Sequence, residues 1–267
     1  MSDVNLSVLV SEVQTIARQA GAEIRRLYQS GDWSVTAKAD ESPVTQADLL
    51  ANEIITTGLE KLGSQSQGAM IVSEESDPHR VQLGERFWLV DPLDGTKDFV
   101  ARRDTFVVSI GLIERGEPVL GVLYSPVLDR LWWAVKGEGA FADGVRIFND
   151  SDRRALIAAG SRSMTPEQIE RLTREISIRE VQRYGSALKF GRLAEGEIDF
   201  YPRFGLINEW DTAAGQVIAE EAGCKVVDLS SGERLRYGKP GLLHRCGFVA
   251  ARDDLGLVKR LKAVKGS

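Results

Sequence analysis

The sequence predicts an α/β protein in which helical and sheet layers stack around a mixed sheet. Three observations carry this reading. Apolar residues between positions 4 and 62 recur at helical spacing. Residues 106–135 hold three apolar β runs separated by turn residues. From Leu156 onward, short apolar runs alternate with helical segments. Strands joined by hairpins and strands separated by helices, in one chain, require both antiparallel and crossover connections.

Taken in order, Leu9, Val13, Ile16, Ala17, Ala20, Ile24 and Leu27 place one face of a long helix over 4–29, closed near Gly31. The polar run Lys38 to Pro43 reads as a loop. Thr45 then caps a second helix that has Asp48 in its first turn and continues to Gly63. Met70 to Val72 form a short strand ending on Ser73-Glu74-Glu75-Ser76, and a charged loop spans 77–85. Phe87 to Val90 form a buried strand that Pro92 should stop. Phe106–Ile113, Val119–Tyr124 and Leu131–Val135 are the next strands, with a Gly-rich turn at 136–141. The polar segment Asn149 to Asp152 is the best candidate boundary, dividing the chain into halves 1–150 and 151–267. In the second half we expect strands at 156–159, 198–201, 226–227 and 248–250. Helices are expected at 165–176, 186–195, 211–222 (closed by Gly223) and 253–262.

Composition excludes several classes of function. The 267 residues carry a formal net charge of −5, which gives no basic footprint for a nucleic-acid polymer. No apolar run approaches the ~20 residues needed to cross a bilayer, and the N-terminus lacks the pattern of a signal peptide. The two cysteines, Cys224 and Cys246, make no disulfide framework, and the two histidines, His79 and His244, make a His-rich zinc site unlikely on composition grounds. A cytoplasmic protein is expected, with peripheral association at the inner membrane as an alternative placement.

The chemistry concentrates in Asp91-Pro92-Leu93-Asp94-Gly95-Thr96. Two carboxylates and a hydroxyl lie on a turn at the carboxyl end of a buried strand, where open α/β sheets bind ligands. Uncompensated acids in such a place are costly, and a bound divalent cation is the simplest remedy. Glu74-Glu75 and Asp211 add two further acidic stations, with Asp48 at a helix start. Small residues at 212–215 would let a phosphate approach the N-terminus of the helix after Asp211. Oxygen donors of this kind suit Mg²⁺, with Mn²⁺ as the alternative. Two ions bridged by Asp91 would activate a water on one side and stabilise a leaving oxygen on the other. Phosphatases that form an aspartyl-phosphate from Asp-x-Asp-x-Thr are excluded, because aligning Asp94 and Thr96 puts Pro92 where the nucleophile must be.

Ser73-Glu74-Glu75, Asp91 to Thr96, and Trp210-Asp211-Thr212-Ala213-Ala214-Gly215 together resemble the inositol-monophosphatase-like superfamily of lithium-sensitive, magnesium-dependent phosphatases. The segments Asp94 to Phe99, Gly160 to Ser163, Gly185 to Phe190 and Asp199 to Phe204 are most similar to its bacterial 3′(2′),5′-bisphosphate nucleotidases, the CysQ type. Asp98 and Met164 depart from the residues those nucleotidases more often carry, Glu and His. The resemblance implies a layered αβαβα sandwich and two or three Mg²⁺ ions held by Glu74, Asp91, the Leu93 carbonyl, Asp94 and Asp211. It further implies that Glu74, with the Asp48–Thr96 pair, acts on the attacking water, and that Gly95 and Thr96 hold the phosphate. Ser186, Lys189 and Arg203 match positions that contact the nucleotide. Lys189 and Arg203 are cations suited to a second phosphate. The implied reaction removes the 3′-phosphate of adenosine 3′,5′-bisphosphate or its 5′-phosphosulfate, a step of sulfur metabolism. An inositol or sugar phosphatase is the alternative, and a monomer or homodimer is expected.

Overall fold

The computed structural model describes residues 5–37, 43–76, 82–150, 155–162 and 164–252, with positions 257 and 261. The predicted loop at 38–42, the start of the charged loop at 77–81, Ser163, the end of the boundary segment and most of the predicted helix 253–262 lie outside the described residues.

The elements run α1 (Leu6–Ser30), β1 (Val35–Ala37), β2 (Pro43–Thr45), α2 (Gln46–Lys61), β3 (Met70–Ser73), β4 (Arg86–Asp94) and α3 (Thr96–Val100). β5 (Val107–Glu114), β6 (Glu117–Ser125), β7 (Arg130–Val135), β8 (Gly139–Ala142) and β9 (Val145–Ile147) follow as an antiparallel meander. Then come β10 (Leu156–Gly160), α4 (Pro166–Glu175), β11 (Ile178–Arg183), α5 (Leu188–Ala194), β12 (Phe200–Arg203) and β13 (Ile207–Asn208). The described elements end with α6 (Ala213–Glu221), β14 (Cys224–Asp228), β15 (Leu243–His244) and β16 (Phe248–Arg252).

Two large sheets result. A seven-stranded sheet in the order β3-β4-β5-β6-β7-β8-β9 lies within residues 70–147, parallel only between β3 and β4. A five-stranded sheet in the order β11-β10-β12-β16-β14 lies within 156–252, and β10 is parallel to both its neighbours. Apolar side chains fill three interlayer spaces. The predicted stripe of α1, from Leu9 to Leu27, is buried with Ala51 and Ile55 of α2 against Trp88, Ile110 and Val122 of the large sheet. On its other face Leu123 and Trp132 meet Phe190 of α5 and Val217 of α6, which also pack on Val226 and Phe248 of the small sheet. Leu172 of α4, with Leu257 and Leu261, covers the outer face of that sheet. The order is therefore α, β, α, β, α, the layered mixed-sheet sandwich that the sequence resembles.

Several local expectations fail for identifiable reasons. β4 does not stop at Pro92. Its pairing with β5 jumps from Asp91↔Ser109 to Asp94↔Val107, so a bulge absorbs the proline, whose missing N–H is not needed there. Gly139 to Phe141 belong to a strand, not a turn, because Ala140 and Ala142 are buried under the meander. β11 went unpredicted because Ile178-Arg179-Glu180-Val181-Gln182-Arg183 is a mostly polar edge strand. α5 starts at Leu188, since Ser186 takes a left-handed φ of 49°. α6 starts after Asp211, with Thr212 at its N-cap.

α6 reaches the large sheet through a cross-strand pair of glycines, Gly111↔Gly121. A Cβ on Gly121 would lie 2.5 Å from the Ala214 carbonyl oxygen, and one on Gly111 would lie 2.8 Å from the Ala213 Cβ. Gly121→Ala should therefore lower the stability to urea by about 1–3 kcal/mol, the usual cost of overpacking. An unchanged unfolding midpoint would show that α6 is not seated on this pair.

Candidate active site

β3 and β4 run parallel and side by side, so the residues at their carboxyl ends share one edge of the large sheet. Glu74 follows β3, and its backbone N–H donates to the Val90 carbonyl at 3.0 Å, which ties the acidic turn to β4. Asp91 is buried within the bulge of β4, where its Oδ1 accepts the Leu93 N–H at 3.0 Å. Asp211 arrives from the other side, on the turn before α6. One carboxylate oxygen each from Glu74, Asp91 and Asp211 all lie within 4.8 Å of one another. Asp94 ends β4, and its Oδ2 accepts the backbone N–H of Ala187 at 2.5 Å, so an acid of the first sheet is bonded to the segment leading into α5.

Burial dominates the acidity of these groups. It raises the Asp91 carboxyl well above the ordinary range, and Glu74, Asp94 and Asp211 push it in the same direction. Asp211 is raised by burial and then by Asp94 and Glu74. Asp94 is pushed up by burial to about 6, with Lys189 and the Ala187 N–H opposing. Four clustered acids, offering only oxygen, form a donor set that fits a hard divalent cation. Leu93 lines the same cavity.

The Asp48–Thr96 pair is assembled by a capping box. Asp48 Oδ2 accepts the Thr45 N–H at 2.8 Å and the Thr45 hydroxyl at 2.6 Å. That leaves Oδ1 to accept the Thr96 hydroxyl at 2.8 Å. Thr96 also lies 3.2 Å from the Leu93 carbonyl. Gly95 between the acids and Thr96 has φ 103°, a backbone angle that a side chain would strain.

Two cavities open on either side of Asp94. The acidic one, about 210 Å³, is lined by Glu74, Asp91, Leu93, Thr96 and Asp211. Asp94, Gly95, Lys97 and Asp211 also line the second, about 290 Å³, which adds Arg162, Ser186, Lys189, Tyr201 and Arg203. The expected metal- and substrate-binding residues thus line one or other of these adjoining cavities, and Asp48 reaches them through Thr96.

Three details differ from expectation. Ser186 lies outside the helix expected over 186–195, ahead of α5, whereas Lys189 is within it. The Ser186 hydroxyl donates to the Thr105 carbonyl at 2.8 Å, and Lys189 is buried with Nζ donating to the Tyr184 and Ser186 carbonyls, 4.9 Å from the Tyr201 ring centre. Burial brings its ammonium down to about 8, against the pull of Asp94. The first turn of α6 is closely packed, with two of its N–H groups already bonded. The N–H groups of Thr212 and Ala213 both donate to the Glu209 carbonyl, and Gly215 is small because a Cβ there would lie 2.2 Å from the Phe190 ring. The third detail is a buried carboxylate that sequence reasoning passed over. Asp98 accepts Arg162 Nε at 2.7 Å, Arg103 at 3.2 Å and the Thr105 hydroxyl at 2.8 Å, and it holds Arg162 at the cavity rim. The signal was Asp98 itself, an acid buried in a motif otherwise spent on ligands.

Titration of Asp94 gives a stability test. Its folded pKa lies above the unfolded value, so between pH ~4 and ~6 the folded chain holds a proton that the unfolded chain has lost. Stability from this group falls as pH rises through that window. The melting temperature of cation-free Asp94→Asn should gain on that of the parent protein from pH 4 to 7, and a divalent cation at pH 7.5 should cancel the difference. A constant offset across pH would contradict the raised pKa.

Residues 5–263 match the inositol monophosphatase family. The chain is 40% identical over 234 residues to the 3′(2′),5′-bisphosphate nucleotidase CysQ of Salmonella typhimurium, covering 86% of this chain and 94% of that protein. Its fold is similar to the crystal structure of CysQ from Bacteroides thetaiotaomicron, with a TM-score of 0.80 and 32% identity over 94% of this chain and all of the other. An IMPase of Thermotoga maritima is similar at a TM-score of 0.78 and 27% identity, over 94% of this chain and 95% of that one. With the sandwich, the clustered acids and these likenesses in agreement, the chain belongs to the inositol monophosphatase family.

Proposed function

We propose that this protein is a 3′(2′),5′-bisphosphate nucleotidase that hydrolyses the 3′-phosphate of adenosine 3′,5′-bisphosphate, or of its 5′-phosphosulfate, to a 5′-nucleotide and phosphate. The observation that carries the reading is the pairing of an acidic cavity with a basic one across Asp94. A substrate with two phosphates a ribose apart needs both. The proposal includes Mg²⁺ as the cofactor, inhibition by millimolar lithium, a place in sulfur metabolism and a cytoplasmic location. It keeps the division at 1–150 and 151–267, the first half carrying most of the acids and the second the substrate side.

In this reading Glu74, Asp91, Asp94, Asp211 and the Leu93 carbonyl hold the cations. Bound Mg²⁺ supplies positive charge that lowers the pKa of water and offsets charge on the phosphate oxygens. The rest falls to the chain. Asp48 is clamped by Thr45, so Thr96 must spend its only proton on Asp48 Oδ1. The Thr96 oxygen is then left to accept a hydrogen bond from the attacking water and aim it at phosphorus. Glu74 takes that water's proton as the new P–O bond forms and the bond to the 3′-oxygen breaks, and the departing 3′-oxygen takes its proton from solvent water. Gly95 and Thr96 offer backbone N–H groups to the phosphate. Arg203 faces the 5′-phosphate, with Nε buried and without a hydrogen-bond partner among the described residues.

Asp94→Asn keeps the shape and removes a charge, so turnover should fall at least ~100-fold with far-UV circular dichroism unchanged. Near-normal activity at low Mg²⁺ would sink the ligand assignment. The second phosphate is tested by kcat/KM on adenosine 3′,5′-bisphosphate and on adenosine 3′-monophosphate. Arg203→Ala should lose about 1.5–3 kcal/mol on the bisphosphate alone. Lys189→Ala should weaken both substrates, because Lys189 also braces the 184–186 turn. Equal losses in Arg203→Ala would favour an inositol- or sugar-phosphate substrate.

A further inference from the structure

Behind Asp211 lies a polar network that the proposed reaction does not use. The segment 237–244 grips residues 207–212 at several points. β13 and β15 pair antiparallel, Ile207↔His244 and Asn208↔Leu243, and the Glu209 N–H donates to the Leu242 carbonyl at 2.9 Å. The Glu209 carboxylate accepts the N–H groups of Gly238 at 2.7 Å and Lys239 at 3.0 Å. Glu209, Thr212 and His244 are completely buried. His244 stands between two partners, with Nδ1 3.0 Å from Lys239 Nζ and Nε2 2.9 Å from Thr212 Oγ1.

Donor and acceptor chemistry gives this chain a direction. An ammonium has three donors and no acceptor, so Nδ1 must accept from Lys239. A neutral ring then carries its hydrogen on Nε2 and donates it to Thr212. Thr212 in turn sends its own proton to the Glu209 carbonyl at 3.0 Å. Burial and the neighbouring ammonium hold the imidazole neutral, with its pKa down at about 3. The order Lys239→His244→Thr212→Glu209 is therefore fixed from end to end, and it closes around Trp210 and Asp211. Asp211 also receives a backbone hydrogen bond from Asn208, on the strand that His244 pairs.

We propose that His244 and Lys239 are positioning residues for the cation site: they lock the tautomer that orients Thr212, and so hold the Asp211 turn at the spacing the other acids require. The inference rests on the cation reading given above. Neither residue lines either cavity, so the effect of the two side chains on the site passes through Thr212 and the residues 207–209 that the same segment holds.

Calorimetric titration of cation-free protein with Mg²⁺ tests this, together with ¹⁵N spectra of the histidine ring. His244→Leu should bind Mg²⁺ about 10–100-fold more weakly, the scale for removing a group that orients a ligand. His244→Gln can donate to Thr212 and accept from Lys239 across a similar span, and it should recover most of the affinity. Lys239→Met should fall between, since His244 is then free to take either tautomer. The ring of the parent protein should carry hydrogen on Nε2 alone throughout the neutral range. If His244→Leu does not fold, Lys239→Met and His244→Gln carry the comparison. Unchanged Mg²⁺ affinity in Lys239→Met and His244→Leu, or hydrogen on Nδ1, would overturn the inference and leave the cation reading standing. Failure of the parent protein to bind Mg²⁺ would overturn both.

Discussion

Mutual repulsion among buried carboxylates is the constraint on which the rest of this structure depends. Glu74, Asp91 and Asp211 offer oxygens within 4.8 Å of one another, and the neighbouring acids make Asp91 and Asp211 harder to ionise. Such a cluster opposes folding unless the frame around it is stiff. The frame supplies stiffness in three ways. β3 and β4 are locked by a parallel ladder that ends one residue before the acids. The bulge at Pro92 turns Asp91 and Asp94 apart. A separate segment of chain braces Asp211 from behind. The hydrophobic layers on both sides of the large sheet supply the stability that offsets the cluster.

The same constraint explains why acidic and basic cavities adjoin. Asp94 sits on the border, accepting a hydrogen bond from Ala187 and facing Lys189, whose ammonium opposes the upward pull of burial on its acidity. Lys189 is itself buried and held by backbone carbonyls, so its charge serves the wall as much as any ligand. Arg162, held by the buried Asp98, and Arg203 extend the positive surface outward. A gradient of charge runs from the sheet edge to the second sheet, which suits the two separated phosphates of the proposed substrate.

Much of this was legible in the sequence because the signals are local. The α1 stripe, the Thr45 capping box and the Asp91-to-Thr96 turn each depend on neighbours within a few residues. The acidic stations were legible too, although only the resemblance joined Asp211 to the others across more than a hundred residues. What escaped reading was decided by tertiary partners. β11 is polar and short, and it exists because β10 offers it an edge. Pro92 reads as a strand end until the bulge is seen. The small residues after Asp211 suggested room for a phosphate, whereas they make room for Phe190 and the large sheet. Glu209 and His244 carry no pattern at all, since their partners are set by the pairing of two separate segments.

The glycine pair under α6 bears on how the chain is synthesised. β5 and β6 are complete long before α6 emerges, and the helix that covers Gly111 and Gly121 comes only after β7 to β13 have been made. Until then one face of the meander is flat, apolar and bare, with Leu123, Trp132 and Ala134 beside the glycines. A nascent chain in that state is a template for association with its own copies. Any truncation placed before α6 leaves this apolar face uncovered, for a reason unrelated to the chemistry of the site.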